Sequence, residues 1–232
     1  MANWGTDNLT QFLERVHDNQ RGNHQKFAGP YSIMQRIDNC FVSAGKNLIN
    51  PTPVLTGVLF LRSQYAYKTA AGMTLAGQAT ETFVMLRSCL EYAGYALAMF
   101  ADPPLEAVFA NRHMDDATMK VQKEKFQIGA IRKVITGFDT KLAENFHINY
   151  SRAIDFGGHP NPHATFSTME LEPNNSILTL AMTNDVKVLL HAMKSTAQVG
   201  LTALFIFQHI FKAKFELLGI RTEMDALRRE HL

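Results

Sequence analysis

The stretch 74–100 constrains the fold more than any other part of this chain. Phe83, Leu86, Leu90, Ala93 and Leu97 recur at helical spacing along one stripe, and Met85, Cys89, Tyr92, Ala96 and Met99 form a second. A surface helix needs one apolar face. A helix apolar on two faces must be covered on both, which places it centrally in a bundle. The rest of the chain supplies the helices to surround it. Segment 31–48 carries Ile33, Ile37, Cys40, Phe41 and Ala44 at helical spacing, and Asn50-Pro51-Thr52-Pro53 stops it. Segment 54–71 reads as the next helix, broken or kinked near Gly72. Asp102-Pro103-Pro104 suits the start of a short helix over 105–113, and Asp115 or Asp116 starts another with Val121, Ile128, Ile131 and Ile135 inward. Asp139 caps a helix over 140–156 that Gly157-Gly158 closes, and Asn184-Asp185 starts a long final helix ending near Gly219.

One segment departs from the helical rhythm. The arms 164–171 and 176–183 flank Glu172-Pro173-Asn174-Asn175 and are rich in Thr, Ile and Phe, a pattern for a short β-hairpin or extended flap around 164–183. The fold class expected is therefore all-α, a multi-helix up-and-down bundle with that one interruption. Three regions follow: an N-terminal arm over 1–29, with a short helix (Leu9, Phe12, Leu13, Val16) and a polar linker over 19–30; a bundle domain over 30–219; and a charged tail over 220–232, loosely attached.

Composition narrows the partners. Charged residues make up only 19% of the chain and hydrophobic residues 46%, so helices buried on several sides or a surface covered by a second subunit are expected, and a homodimer fits. A net charge of +2 gives no chain-wide field that advertises nucleic acid, though it leaves room for a local basic patch. The polar stretch 1–20 is not a secretory signal, and the apolar run 195–211 is too short and too polar for a membrane span. Cys40 and Cys89 sit inside apolar helical patterns and read as buried thiols of a reducing, cytoplasmic compartment.

Two constellations carry possible chemistry. Arg87 and Glu91 lie one helical turn apart, so their side chains can meet. Such a pair either stitches two helices or holds a guanidinium ready for a phosphate or carboxylate ligand, with Arg62 a possible addition. The second is the run from Ser151 to His163, which holds Arg152, Asp155, Gly157, Gly158, His159, Pro160, Asn161 and Pro162. A stiff glycine-proline loop can fix the His159 imidazole as a general base, with Asn161 and Asp155 available to a ligand; it is equally a good helix terminator. Asp155, His159 and His163 are not at helical spacing and match no metal pattern, so no metal site and no cofactor is expected. Phosphate-binding, dinucleotide-binding and metalloprotease motifs are absent from the sequence.

The helix-borne Leu86-Arg87-Ser88-Cys89-Leu90-Glu91, the Ala101-Asp102-Pro103 helix end and the later Asp155-Phe156-Gly157-Gly158-His159-Pro160-Asn161 together resemble a group of bacterial helical proteins of unknown function. That group is in turn similar in layout to the HEPN (higher eukaryote and prokaryote nucleotide-binding) superfamily, whose members are helical bundles, often dimeric. The resemblance implies RNA or a nucleotide as partner and a metal-independent RNase activity through an Arg, four to six residues, then His motif. Here it falls on Arg152 and His159, six residues intervening. His159 would then exchange a proton with a ribose 2′-hydroxyl while Arg152 stabilises phosphorane charge. The other reading is a non-enzymatic scaffold, an interaction module or a small-ligand binder.

Overall fold

The computed structural model describes residues 5–158, 169–171, 177–179 and 182–231. The described residues form eleven α-helices, α1 (Asn8–Lys26), α2 (Ala28–Lys46), α3 (Val54–Ala76), α4 (Ala79–Ala101), α5 (Leu105–Ala110), α6 (Asp116–Lys125), α7 (Ile128–Phe138), α8 (Thr140–Ala153), α9 (Val186–Ile210), α10 (Lys212–Leu217) and α11 (Ile220–His231). A wider, π-type turn, Ile154–Gly158, extends α8. Short strands Met169–Leu171 and Ile177–Thr179 pair antiparallel, with Glu170 opposite Leu178. The remainder of the expected flap lies outside the described residues. None of the described helices is long and apolar enough to cross a membrane.

Helix α4 is the centre of the bundle, as its two stripes require. It packs along α3 on one side and α9 on another, with α7, α8 and the Ile154–Gly158 turn closing over the rest. Both predicted stripes reach the core: Leu86, Leu90 and Leu97 are fully buried, and so are Cys89, Ala96 and Met99. Gly94 is what lets α7 approach, since a Cβ there would stand 2.5 Å from Ile131 Cγ2. A second close contact joins α2, α3 and α9. At Gly200 a Cβ would run into the Tyr67 ring and stand 2.9 Å from Ile37, while the buried Tyr67 hydroxyl donates to the Met34 carbonyl at 2.9 Å. Phe60 meets Phe207 edge-to-face at 4.8 Å and Phe41 at 5.6 Å, adding aromatic packing to the same junction.

Several boundaries differ from the sequence expectation. The polar stretch 19–30 is not a linker: α1 runs through Lys26 and α2 begins at Ala28. Its amides have a specific use. Asn19 donates to the Ala76 carbonyl at 3.0 Å, Gln20 to Gly72 at 3.0 Å and Asn23 to Leu75 at 2.8 Å. Leu75 and Ala76 are among the last four carbonyls of α3, which have no partner inside their own helix, and Gly72 lies just before them. Helix α3 passes straight through Gly72 and stops at Gly77, whose φ of 85° is the left-handed conformation glycine tolerates. The stretch expected to form one helix after Asp115 is two, α6 and α7, and Val121 is exposed rather than inward. The long final helix breaks at Phe211. The charged tail is also firmly packed: Ile220, Met224 and Leu227 of α11 are buried, and Arg36 of α2 bonds Glu223 at 2.7 Å and Glu230 at 3.0 Å.

Candidate functional site

Helix α8 presents polar chemistry on two of its faces, and its start is held by Asp139, which accepts from the Leu142 amide at 2.9 Å. On the face toward α4 lies the predicted pair. Arg87 Nε donates to Glu91 Oε1 at 2.8 Å, and the Tyr150 hydroxyl donates to the same oxygen at 2.8 Å. Arg87 Nε also reaches the Tyr150 oxygen at 3.2 Å, its guanidinium lies 5.7 Å from the Tyr150 ring centroid, and Arg87 has interactions beyond these. Burial opposes the charged form of Arg87, but the Glu91 hydrogen bond and charge outweigh it and hold the guanidinium ionised. Burial, followed by the Glu91 carboxylate, pushes the Tyr150 hydroxyl up to about 12. The sequence signalled Arg87 and Glu91 but not Tyr150, which joins α4 to α8. Arg62 stands apart on α3, 3.3 Å from the Tyr92 hydroxyl.

On another face of α8, Asn145, Ile148, Asn149 and Arg152 line a cleft of about 250 Å³ closed by Gln198, Leu201, Thr202 and Phe205 of α9 and by Arg228 of α11. Arg152 Nη1 donates to Gln198 Oε1 at 2.5 Å and to Asn149 Oδ1 at 3.3 Å. Asn149 in turn donates to Thr202 Oγ1 at 3.0 Å, and Thr202 donates to the Gln198 carbonyl at 2.8 Å. Arg152 forms no ion pair with a carboxylate among the described residues. Burial alone lowers its pKa, the signature of a cation held partly out of water without a compensating negative charge. Arg228 lies 5.2 Å from the Phe205 ring centroid and bonds Asp225 at 3.0 Å. A smaller adjoining hollow of about 100 Å³ shares Leu142, Asn145, Phe205 and Arg228 and adds Asp139, Lys141, Gln208, His209 and Arg221. The cleft is thus rich in guanidinium and carboxamide donors, with one aromatic wall.

The turn after α8 carries Asp155, which is exposed, and Phe156, whose ring centroid lies 4.9 Å from His191 of α9. The turn sits tightly on the start of α4: a Cβ at Gly157 would strike the Thr80 carbonyl oxygen, which glycine avoids. His191 also faces Phe83 at 5.9 Å. Burial first, then the Arg152 and Lys194 charges, holds its pKa below the ordinary histidine value. Sequence reasoning missed His191, although it lies seven residues before Gln198 and so on the same face of α9. His159 and Asn161, with His163, lie outside the described residues. The structure therefore brings Arg87 and Glu91 together and places Arg152 on a different face of α8.

No group of three or more His, Cys, Asp or Glu side chains that could hold a metal occurs among the described residues. Cys40 and Cys89 are free buried thiols on different helices, each pushed up to about 12 chiefly by burial. Neither is poised as a nucleophile. No protein-family model matches the chain, and no match emerges among curated proteins or solved structures.

Proposed function

We propose that this protein binds RNA or a nucleotide in the cleft between α8, α9 and α11, with Arg152 taking the phosphate. One observation carries the reading: a partly buried guanidinium, bonded by neutral amide oxygens at the wall of an open cleft, with no carboxylate paired to it among the described residues. A fully buried arginine is ordinarily paired with a carboxylate, and the half-buried Arg152 has none paired to it among the described residues. Arg152 instead retains donors for an anion, and its planar fork suits a phosphate. Arg228 across the cleft, lying over the Phe205 ring and paired with Asp225, offers a second guanidinium to the same ligand.

Cleavage needs a histidine beside the phosphate. The ribose 2′-hydroxyl gives its proton to the imidazole and its oxygen bonds phosphorus while the P–O5′ bond breaks, the 5′-oxygen taking a proton from water. The products are a 2′,3′-cyclic phosphate and a free 5′-hydroxyl. Arg152 stabilises the charge gathered on the phosphoryl oxygens. By sequence that histidine is His159, with six residues between it and Arg152.

Fluorescence anisotropy with a labelled single-stranded RNA, run beside a cleavage gel, tests both layers. Binding by wild type that weakens at least tenfold in Arg152→Gln supports the cleft. Cleavage by wild type that disappears in His159→Ala, with binding retained, supports the RNase. Binding without cleavage in any variant supports a binding protein only. Absence of binding to RNA and to mononucleotides by wild type overturns the proposal. A second reading, an interaction module, rests on a different observation: the outward apolar face of α3.

A further inference from the structure

Arg152 has an edge that its neighbours leave open. Nη1 is held by Gln198 and Asn149, while Nε and Nη2 make no hydrogen bond among the described residues. One turn further along the chain, about 6 Å along the helix axis, Phe156 packs on the His191 ring at 4.9 Å, and Phe83 of α4 meets the same ring at 5.9 Å. Two aromatic contacts thus hold an imidazole that is otherwise exposed, and its nitrogens make no hydrogen bond among the described residues.

Helix α9 ties this imidazole to Arg152. His191, Ser195 and Gln198 are separated by four and three residues and so form one row, which meets the turn after α8 at His191 and Arg152 at Gln198. Ser195, between them, is 1% exposed, and its hydroxyl has no partner. The row therefore carries polar groups that the fold itself does not use. The charged residues on the elements around His191 are Arg152 of α8, Asp155 of the turn, Glu81 of α4, and Lys187 and Lys194 of α9. Burial first, then the positive charges of Arg152 and Lys194, disfavours the imidazolium. An anion lying between Arg152 and His191 reverses the sign of that local field, so its binding takes up a proton.

We infer that His191 and Arg152 form a single phosphate site, in which the anion bonds the open edge of the guanidinium and the protonated imidazole, and that its affinity rises as pH falls. The inference rests on the reading of Arg152 as a phosphate binder and adds the second residue that grips the anion. Sulfate is the probe, because it keeps its charge across the range in which phosphate titrates. Isothermal titration calorimetry of the full chain at fixed ionic strength should show binding at least about fivefold tighter near pH 5.5 than near pH 7.5, within the limit of about tenfold per pH unit for one proton. The gradient should vanish in His191→Gln, an exposed position where the change leaves the fold intact, and persist in His209→Gln, whose ring lies in the adjoining hollow. In the wild type, the His191 ring ¹⁵N resonances should titrate at higher pH with sulfate than without, which reads the linkage with no substitution. Sulfate binding that needs Arg152 but is flat with pH, or a gradient that survives His191→Gln, overturns the shared site and leaves the phosphate reading of Arg152 standing. A wild type that binds no sulfate at either pH also overturns the shared site; if RNA and nucleotides fail to bind as well, the reading of Arg152 falls with it.

Discussion

Replacing Arg152 by Met should leave the protein about as stable as before while removing its response to a phosphate ligand. Two hydrogen bonds are lost, one short to Gln198 and one long to Asn149. Both acceptors border the open cleft, so water replaces the guanidinium, and Asn149 keeps its bond to Thr202. The loss is then about 1.5–3 kcal/mol, the usual net value of a hydrogen bond made by a charged group, the long second bond adding little. Against it stands the relief of a cation held partly out of water, whose penalty reaches several kcal/mol for full burial and a fraction of that here. The two nearly cancel, and the change stays within about 1 kcal/mol. For a chain of this size that is a melting shift within roughly 3 °C. An arginine serving in a buried structural ion pair would instead cost about 3–5 kcal/mol and lower the melting point by roughly 8 °C or more. The ligand arm has the opposite sign. An RNA oligonucleotide or nucleotide at a hundred times its dissociation constant stabilises the wild type by about 2.7 kcal/mol, and the Met variant by almost nothing. Thermal denaturation followed by circular dichroism, with and without ligand, reads both arms. A large drop in melting point without ligand, or equal ligand shifts in the two proteins, would refute the reasoning.

Two further outcomes follow from the packing. His191 and His209 both have pKa values lowered first by burial, so the fold favours their neutral forms. Their contribution is fully present above the unfolded value of about 6.5 and is lost as pH falls through the lower folded values; denaturant melts should therefore weaken from pH 7 to pH 5, less so in His191→Gln, and a stability that rises on acidification would contradict this. Gly200→Ala should cost about 1–3 kcal/mol by forcing Tyr67 and Ile37 aside, while Gly129→Ala, where a Cβ meets nothing within 4 Å, should be neutral or stabilising; equal melting points for the two variants would show that the α2–α3–α9 junction is looser than its contacts indicate.

What the sequence revealed and what it hid divide along a physical line. Signals local to one helix were legible: the double stripe of α4, the Asp139 and Asp185 caps, and the Arg87–Glu91 pair. Signals whose meaning depends on a partner element were not. Asn19, Gln20 and Asn23 looked like a linker because their amides only make sense against the carbonyls of α3. The tail looked loose because its charges outnumber the three residues Ile220, Met224 and Leu227 that dock it. The candidate site shows the same split. Arg152 could be singled out from sequence, but its setting could not, because Gln198 and Thr202 come from α9 and Arg228 from a helix that folds back from the far end of the chain. Its catalytic companion by sequence, His159, lies outside the described residues, while His191 was readable in principle from its register with Gln198.

The central claim is that the Arg152 guanidinium contacts phosphate, and arginine side-chain ¹⁵N NMR addresses it directly. Assigned through Arg152→Gln, the Arg152 Nε resonance should shift and saturate as a short single-stranded RNA or a nucleotide is titrated, with the Arg62 resonance unmoved. An Arg152 resonance that stays fixed while RNA binds elsewhere on the protein would contradict the account.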